Sequence, residues 1–97
     1  MQRLIWSPAS RDDLRRIDAW LGARNPVAAA QILRSIRAAA LRLTDYPRIG
    51  RALEEPFRVL GIRHTPYVMV YRLHDDRVEI VRIRHARENW LPVEGDI

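Results

Sequence analysis

Residues 57–90 read FRVLGIRHTPYVMVYRLHDDRVEIVRIRHARENW, and this stretch decides the fold of the chain. It contains three apolar runs, rich in the β-branched and aromatic residues that favour strands: Phe57–Ile62, Tyr67–Leu73 and Val78–Ile83. The segments between them, residues 64–66 and 74–77, have the length and composition of hairpin turns. The pattern therefore predicts an antiparallel meander of three strands.

The second and third runs also predict how the sheet is buried. Apolar residues occupy both faces of the run at 67–73, which is typical of a central strand that is covered on both sides. In the third run we expect the inward residues to be among Val78, Ile80, Val81 and Ile83, while Glu79, Arg82 and Arg84 point the other way. The sequence therefore predicts arginines clustered at the rim of the sheet.

The start of the chain predicts one strand followed by a helix. The residues Arg3–Trp6 are apolar and β-prone, and Ser7-Pro8 has the pattern of a helix N-cap followed by proline at the first helical position. Asp12 and Asp13 lie in the early turns, where carboxylates suit the helix dipole. We expect this helix to end near Gly22.

A second helix follows after a short link. Asn25-Pro26 repeats the helix start signal, and the apolar periodicity continues to about Leu43, before Tyr46-Pro47 ends the helix. The short link predicts that the two helices form an antiparallel hairpin. The sequence therefore predicts an α+β fold of two layers in the order β-α-α-β-β-β, with the helical hairpin packed on an antiparallel sheet.

The composition bounds the class of protein. The 97 residues predict a single domain at 1–90, with a frayed C-terminal tail at 91–97. No cysteine is present, no apolar run approaches the roughly 20 residues of a membrane helix, and the N-terminus has no signal-peptide core. Three separated histidines lack the spacing of a metal site. We expect a soluble cytoplasmic protein with no metal, no cofactor and no membrane partner.

The charge predicts an anionic partner. The net charge is +5, and all 17 basic residues are arginine, whose planar side chain binds phosphate and carboxylate with two hydrogen bonds. A GC-rich genome would explain arginine in place of lysine, but it would not explain the net charge. The partner is either a nucleic acid or an acidic protein segment. A plain nucleic-acid-binding module is the less favoured interpretation, because the few aromatic residues are expected to be buried.

Six short motifs run in order along nearly the whole chain. They are WSPAxxDDLxxI at 6–17, NPxAA at 25–29, YPxxGR at 46–51, RxL at 58–60, YVMVYR at 67–72 and VEIVRIRHARENW at 78–90. Their order and spacing make the chain resemble the RelE/ParE superfamily of bacterial toxins from type II toxin–antitoxin systems. The opening of the second helix, the YPxxGR corner and the RHxRxxW ending resemble the ParE branch in particular.

The resemblance implies a toxin that is inactive while its antitoxin is bound. The expected partner is a ParD-like antitoxin in a hetero-oligomer with the toxin, and the ParE branch implies poisoning of DNA gyrase by binding, without catalysis. The RelE branch implies instead a ribosome-dependent endonuclease that cleaves mRNA in the ribosomal A site. The sequence does not assign the residues that bind the antitoxin.

The nuclease alternative can be weighed from the residues. RNA cleavage needs a base, a cation for the transition state and an acid. Where the RelE branch implies lysines and an arginine, the aligned positions hold Val59, Gly61 and Val68. No catalytic residue is therefore expected. A nuclease would have to use His85, Arg87, Arg58 and Arg51, with Glu54 or Glu55 as a possible base.

The arginines near the predicted meander are the candidate target-binding residues. They are Arg51, Arg58, Arg63, Arg72, Arg82, Arg84 and Arg87. A solvated face is the alternative for the strand arginines, and for Arg51 the alternative is a brace to Glu54 or Asp45. Gly50 is interpreted as a turn residue with positive φ.

The histidines and tryptophans have structural alternatives. His85 is expected either to bond a backbone carbonyl or to act in catalysis, and His64 and His74 are expected to be solvated. We expect Trp6 and Trp20 in the core, with Trp90 covering a sheet edge.

Overall fold

One strand, two helices and four further strands follow one another in a computed structural model that describes residues 2–88. In chain order they are β1 (Arg3–Trp6), α1 (Pro8–Arg24), α2 (Pro26–Asp45), β2 (Arg51–Ala52), β3 (Phe57–Gly61), β4 (Tyr67–Leu73) and β5 (Arg77–His85). The predicted tail at 91–97 and the lid predicted for Trp90 lie outside the described residues.

Both helices begin at the predicted caps. The Ser7 hydroxyl accepts a hydrogen bond from the Ser10 N–H at 3.0 Å, and the Asn25 side chain accepts one from the Ala28 N–H at 3.1 Å. Asn25 also ends α1, because its N–H donates to the Leu21 carbonyl at 2.7 Å. The expected stop at Gly22 is wrong: α1 continues to Arg24, until the residue before proline turns to an extended conformation.

The sheet has five strands in the order β1-β5-β4-β3-β2. The meander β3-β4-β5 is antiparallel, as predicted, and β4 has the predicted bounds. Two features add to the predicted fold. β1 pairs with β5 in parallel, so the sheet is mixed, and the two-residue β2 pairs with β3 at the other edge. The predicted α+β architecture of a helical hairpin on this sheet is confirmed.

A β-bulge in β5 changes which residues face the helices. Tyr71 pairs with Ile80 but Val70 pairs with Arg82, so Val81 is an extra residue on β5. Val81 packs in the apolar cluster on the far side of the sheet. Of the four residues among which the inward set was expected, Val78, Ile80 and Ile83 therefore face the helices, because the bulge shifts the alternation after Ile80.

Apolar side chains fill both faces of the sheet. The core under the helices contains Ile17, Leu33, Ile36, Ala40, Leu43, Ile62, Met69, Tyr71, Val78, Ile80 and Ile83. The opposite face holds a smaller cluster of Val59, Val68, Val70 and Val81, bordered by Leu53 and Phe57. The prediction of a central strand buried on both faces is confirmed for β4.

The two described tryptophans differ in burial. Trp6 packs against the core, as predicted. Trp20 is 56% exposed, and the Arg24 guanidinium lies 3.9 Å from the centroid of its ring. The core assignment of Trp20 is therefore wrong, because its position in α1 faces away from the sheet.

Candidate functional site

Arg82 on β5 is held by an acidic side chain of α1. The Arg82 guanidinium donates to both carboxylate oxygens of Asp13 on α1, at 2.8 Å each, and the backbone N–H of Ile83 donates to the same carboxylate at 2.9 Å. Both side chains are nearly buried. Asp13 lies in the early turns of α1, as the sequence indicates, and its contacts also fix α1 against β5.

A second ionic group lies on the β4–β5 hairpin. Glu79 Oε1 accepts from Arg72 Nε at 2.7 Å and lies 2.8 Å from His74 Nε2. Burial raises the pKa of Glu79, but the hydrogen bonds from His74 and Arg72 outweigh burial, so its pKa lies below the ordinary 4.5. The expectation that His74 is solvated is wrong, because it is half-buried against Glu79, whereas His64 is exposed as predicted.

Arg58 and Tyr71 hold the loop at 46–51. Arg58 Nε and Nη2 donate to the Gly50 carbonyl at 3.1 and 2.6 Å, and Nη2 donates to the Arg48 carbonyl at 3.2 Å. The Tyr71 hydroxyl donates to the Pro47 carbonyl at 2.8 Å and accepts from the Gly50 N–H at 3.0 Å. Arg58 and Tyr71 are cross-strand neighbours on β3 and β4, so two adjacent side chains fix both ends of this loop.

Gly50 is required by close contacts. Its φ lies outside the left-handed region, so the positive-φ interpretation is wrong. A Cβ at this position would lie 2.7 Å from both the Tyr71 hydroxyl and the Val59 carbonyl oxygen. The YPxxGR corner therefore has glycine because the loop lies against β3 and the Tyr71 ring.

The remaining candidate arginines differ in exposure. Arg51, Arg63 and Arg87 are exposed, whereas Arg84 is half-buried and lies 3.6 Å from Glu88. Arg51 lies in β2, opposite Val59. The structure thus divides the seven candidates into three exposed side chains and four that are partly buried.

His85 lies at the end of β5 among polar groups. Its Nδ1 accepts the backbone N–H of Arg87 at 3.2 Å, and its ring contacts the Tyr67 ring edge-on, with centroids 5.8 Å apart. The prediction that His85 bonds to a backbone carbonyl is wrong. Its Nδ1 instead accepts a hydrogen bond from the backbone N–H of Arg87. The pKa of Tyr67 is raised, first by burial and to a smaller extent by the negative charge of Glu88.

The face that would carry nuclease chemistry is apolar at its centre. Val59 and Val68 are 4% and 7% exposed and pack together, and Gly61 is an exposed strand residue. Arg58, a candidate for transition-state stabilisation, donates to the carbonyls of the 46–51 loop. Within residues 2–88, no group of three His, Asp or Glu side chains is arranged to hold a metal ion.

Two hollows that share Arg37 in their walls lie along the helical hairpin. One, of about 310 Å³, has Gly22, Ala29 and Ala30 in its wall, and the other, of about 430 Å³, has Trp6, Leu14 and Leu41. Arg37 lines both hollows, and the groove is also lined by Arg34, Arg11, Leu4, Leu33, Asp18 and Pro26. We call this surface the hairpin groove. It is apolar with a basic border, and it extends along α2 for roughly 22 Å at 1.5 Å per residue.

The fold and these surfaces define a small toxin domain of the RelE/ParE type. Residues 4–90 match the family described as the ParE toxin of the type II toxin–antitoxin system parDE, and the chain belongs to this family. It is 36% identical over 86 residues to Toxin RelE2 of Caulobacter vibrioides, covering 89% of this chain and 97% of that protein. It is also 32% identical over 93 residues to the putative toxin Y4kP of Sinorhizobium fredii, covering 95% and 96%.

Solved structures agree with the fold. A chain of the chromosomal ParDE system from P. aeruginosa superposes with a TM-score of 0.78 at 22% identity, covering 88% of this chain and 96% of that one. A chain of the toxin–antitoxin complex RelBE2 from Mycobacterium tuberculosis gives 0.58 at 22% identity, covering 87% and 96%. In the described part of the chain, no helix is long and apolar enough to cross a membrane.

The sequence interpretation missed Asp13 and Tyr71 as organising residues. Asp13 was recognisable only as a carboxylate on the apolar side of α1, between Ser10 and Ile17, which are also buried. Tyr71 was recognisable as one more apolar residue of a buried strand. The spacing in the chain cannot reveal that its hydroxyl meets a loop 21 to 24 residues earlier.

Proposed function

We propose that this member of the type II toxin family arrests growth by binding and poisoning DNA gyrase, and that a cognate ParD-like antitoxin neutralises it. The family assignment gives the toxin class, and the gyrase target is the proposed step beyond it. The toxin acts by binding in this proposal and needs no catalytic residue or cofactor.

One observation carries the choice of a binding toxin. Val59 and Val68 occupy the centre of the sheet face on which an RNA phosphate would have to lie, and both are buried in an apolar cluster. A phosphorane-like transition state needs cations or hydrogen-bond donors at that place. The nearby Arg58 and Arg82 donate to partners inside the fold, to Gly50 and Asp13 respectively.

The candidate target-binding arginines keep distinct roles in the proposal. Arg51, Arg63 and Arg87 are exposed and supply direct contacts to the target. Arg58, Arg72, Arg82 and Arg84 set the shape of the surface, and their contacts within the fold hold its strands and loops in place.

The hairpin groove is the proposed surface for the antitoxin. Its apolar wall and the small residues Gly22, Ala29 and Ala30 allow a helix to approach closely, and Arg11, Arg34 and Arg37 complement an acidic border. The solved neighbours are toxin–antitoxin systems, which supports an antitoxin partner. An acidic amphipathic helix at the C-terminus of the antitoxin fits this groove.

The ribosome-dependent nuclease is the alternative. It is favoured by the polar group at the end of β5, where His85, Arg87 and Glu88 lie close together, and by relatives that carry the name RelE. These residues could supply an acid, a cation and a base.

The test measures growth, supercoiling and RNA cleavage with the same protein. The wild-type chain is expressed from an inducible promoter, with or without the product of the adjacent reading frame. We expect growth arrest that the second protein relieves, and inhibition of DNA supercoiling by purified gyrase. Cleavage of mRNA on ribosomes, with supercoiling unaffected, would establish the alternative. Normal growth without the second protein would contradict both.

A further inference from the structure

The loop at 46–51 exposes large apolar side chains on a fixed backbone. Tyr46 is 63% exposed and Ile49 is 43% exposed, and the exposed Arg48 and Arg51 lie beside them. Ile49 stands between a hollow of about 400 Å³ at the start of the loop and one of about 480 Å³ against β3 and Ala86. The loop therefore presents residue types that dominate binding energy at protein interfaces, tyrosine and arginine, around one aliphatic side chain.

Hydrogen bonds from two side chains of the sheet hold the backbone of this loop in place. The Tyr71 hydroxyl bridges the Pro47 carbonyl and the Gly50 N–H, and Arg58 binds the Gly50 and Arg48 carbonyls. The Ile49 N–H also donates to the Tyr46 carbonyl at 3.1 Å. A surface that is ordered before binding loses less conformational entropy when it meets a partner.

We propose that the 46–51 loop is the principal surface by which the toxin grips its cellular target, and that the target is a protein with an apolar pocket bordered by carboxylates. Ile49 and Tyr46 fill the pocket, while Arg48 and Arg51 pair with the carboxylates. This inference rests on the proposed function, because it takes the chain to act by binding.

The chemistry around the loop favours a protein over a nucleic acid. Asp45, Glu54 and Glu55 are exposed on either side of the loop, so its basic surface is confined to Arg48 and Arg51 and lacks the continuous run of cations that a phosphate backbone favours. Tyr46 is the one aromatic ring of the loop, and the exposed side chain at the centre of the loop, Ile49, is aliphatic and has no flat π face for base stacking. Guanidinium groups beside an aliphatic anchor instead match a carboxylate-rimmed apolar pocket.

The test separates target binding from folding and from antitoxin binding. The variants Ile49→Glu and Arg48→Glu are compared with Val27→Glu, which changes a 68% exposed apolar residue at the start of α2. Growth arrest on induction is the readout of target binding, since it does not require the target to be known. We expect the loop variants to lose growth arrest, because each places a negative charge on the proposed contact surface. Their unfolding midpoint and their affinity for the product of the adjacent reading frame should match the wild type, and Val27→Glu should still arrest growth.

A second variant tests the fixed backbone while keeping every exposed side chain. Tyr71→Phe removes the hydroxyl that bridges Pro47 and Gly50, so trypsin should cleave faster after Arg48 and Arg51 and growth arrest should weaken. Tyr67→Phe is the matched control in the same strand.

Each outcome has one meaning. If the wild type and the loop variants both arrest growth, this inference alone is overturned. The same holds if the loop variants lose affinity for the antitoxin but still arrest growth. Normal growth with the wild type would overturn the proposed function and this inference with it.

Discussion

Asp13 and Arg82, which lie 69 positions apart, form a bidentate ion pair that joins α1 to β5. Arg82 Nε and Nη2 lie 2.8 Å from the two carboxylate oxygens of Asp13, and the same carboxylate accepts the Ile83 backbone N–H. Ser7 strengthens the same junction, because its hydroxyl donates to the Val81 carbonyl at 2.8 Å. The β-bulge in β5 lies at this junction, so these polar contacts secure the strand where its regular pairing shifts.

The first prediction concerns this ion pair. Asp13→Ala leaves a nearly buried guanidinium without its carboxylate, and we expect a loss of about 3–5 kcal/mol in the free energy of unfolding. The measurement is urea denaturation followed by circular dichroism. The control is Asp12→Ala, which removes an exposed pair with Arg15 and should cost about 0–1 kcal/mol. Equal losses in the two variants would contradict a special role for Asp13.

The second prediction concerns the glycine of the YPxxGR corner. Gly50→Ala places a Cβ 2.7 Å from both the Val59 carbonyl oxygen and the Tyr71 hydroxyl, and a backbone atom cannot easily yield. We expect a destabilisation of about 1–3 kcal/mol in thermal or urea unfolding. Gly61→Ala is the control, because a Cβ there meets nothing within 4 Å, and it should stabilise the strand by about 0.5–1 kcal/mol.

The third prediction concerns pH. The pKa of Glu79 lies below 4.5 in the folded chain, so the folded state holds the proton less tightly than the unfolded state. The stabilisation by Glu79 is therefore fully present above pH 4.5 and is lost as the pH falls through the lowered pKa.

The comparison for this prediction is Glu79→Gln. The wild type should be more stable than the variant above pH 4.5, and the difference should shrink as the pH falls below that value. Glu54→Gln makes the same change of charge at an exposed site and serves as the control. If the difference in stability between the wild type and Glu79→Gln instead grew as the pH fell, the direction of the pKa shift of Glu79 would be wrong.

The fourth prediction separates binding from catalysis. His85→Gln removes the imidazole that the nuclease alternative would use as acid or base. Because we propose a toxin without catalysis, growth arrest and inhibition of supercoiling should be unchanged. Loss of arrest with intact folding and intact antitoxin binding would instead favour the nuclease alternative. Colony counts after induction and a purified supercoiling assay provide the measurements.

The fifth prediction concerns the antitoxin. Arg37 lines both hollows of the hairpin groove, and Arg37→Glu reverses the charge at its centre. We expect the affinity for the product of the adjacent reading frame to fall by about 10- to 100-fold, measured by calorimetry. Arg42→Glu makes the same change at an exposed position of α2 that does not line the groove, and its affinity should be close to that of the wild type.

Much of the fold could be predicted because its signals are local. The caps Ser7-Pro8 and Asn25-Pro26 begin helices through contacts within three residues, and the run Tyr67–Leu73 has the same bounds in the sequence and in the structure. The parallel pairing of β1 with β5 could not be predicted, because no pattern within β1 specifies its neighbour. Trp20 was misplaced because the periodicity of α1 does not decide the side on which a border residue lies.

The candidate site was predictable only in composition. Arginine was expected on the strands, and it is there. Which arginines bind partners within the fold depends on acids far away in the chain, such as Asp13 for Arg82. The contacts of Arg58 with the carbonyls of the 46–51 loop were not predicted, because they depend on the cross-strand pairing that places Arg58 beside Tyr71.

The sequence by itself determined the order of the helices and of every described strand except the two-residue β2, the two apolar faces of β4, the excess of positive charge and the family. Each of these depends on residue type and short spacing alone. The tertiary structure decided which guanidinium groups are held inside the fold, why residue 50 is glycine, and which side chains the 46–51 loop exposes. The physical reason is that a hydrogen bond or a close contact depends on distance in space, and the fold brings together groups that lie 8 to 74 positions apart in the chain.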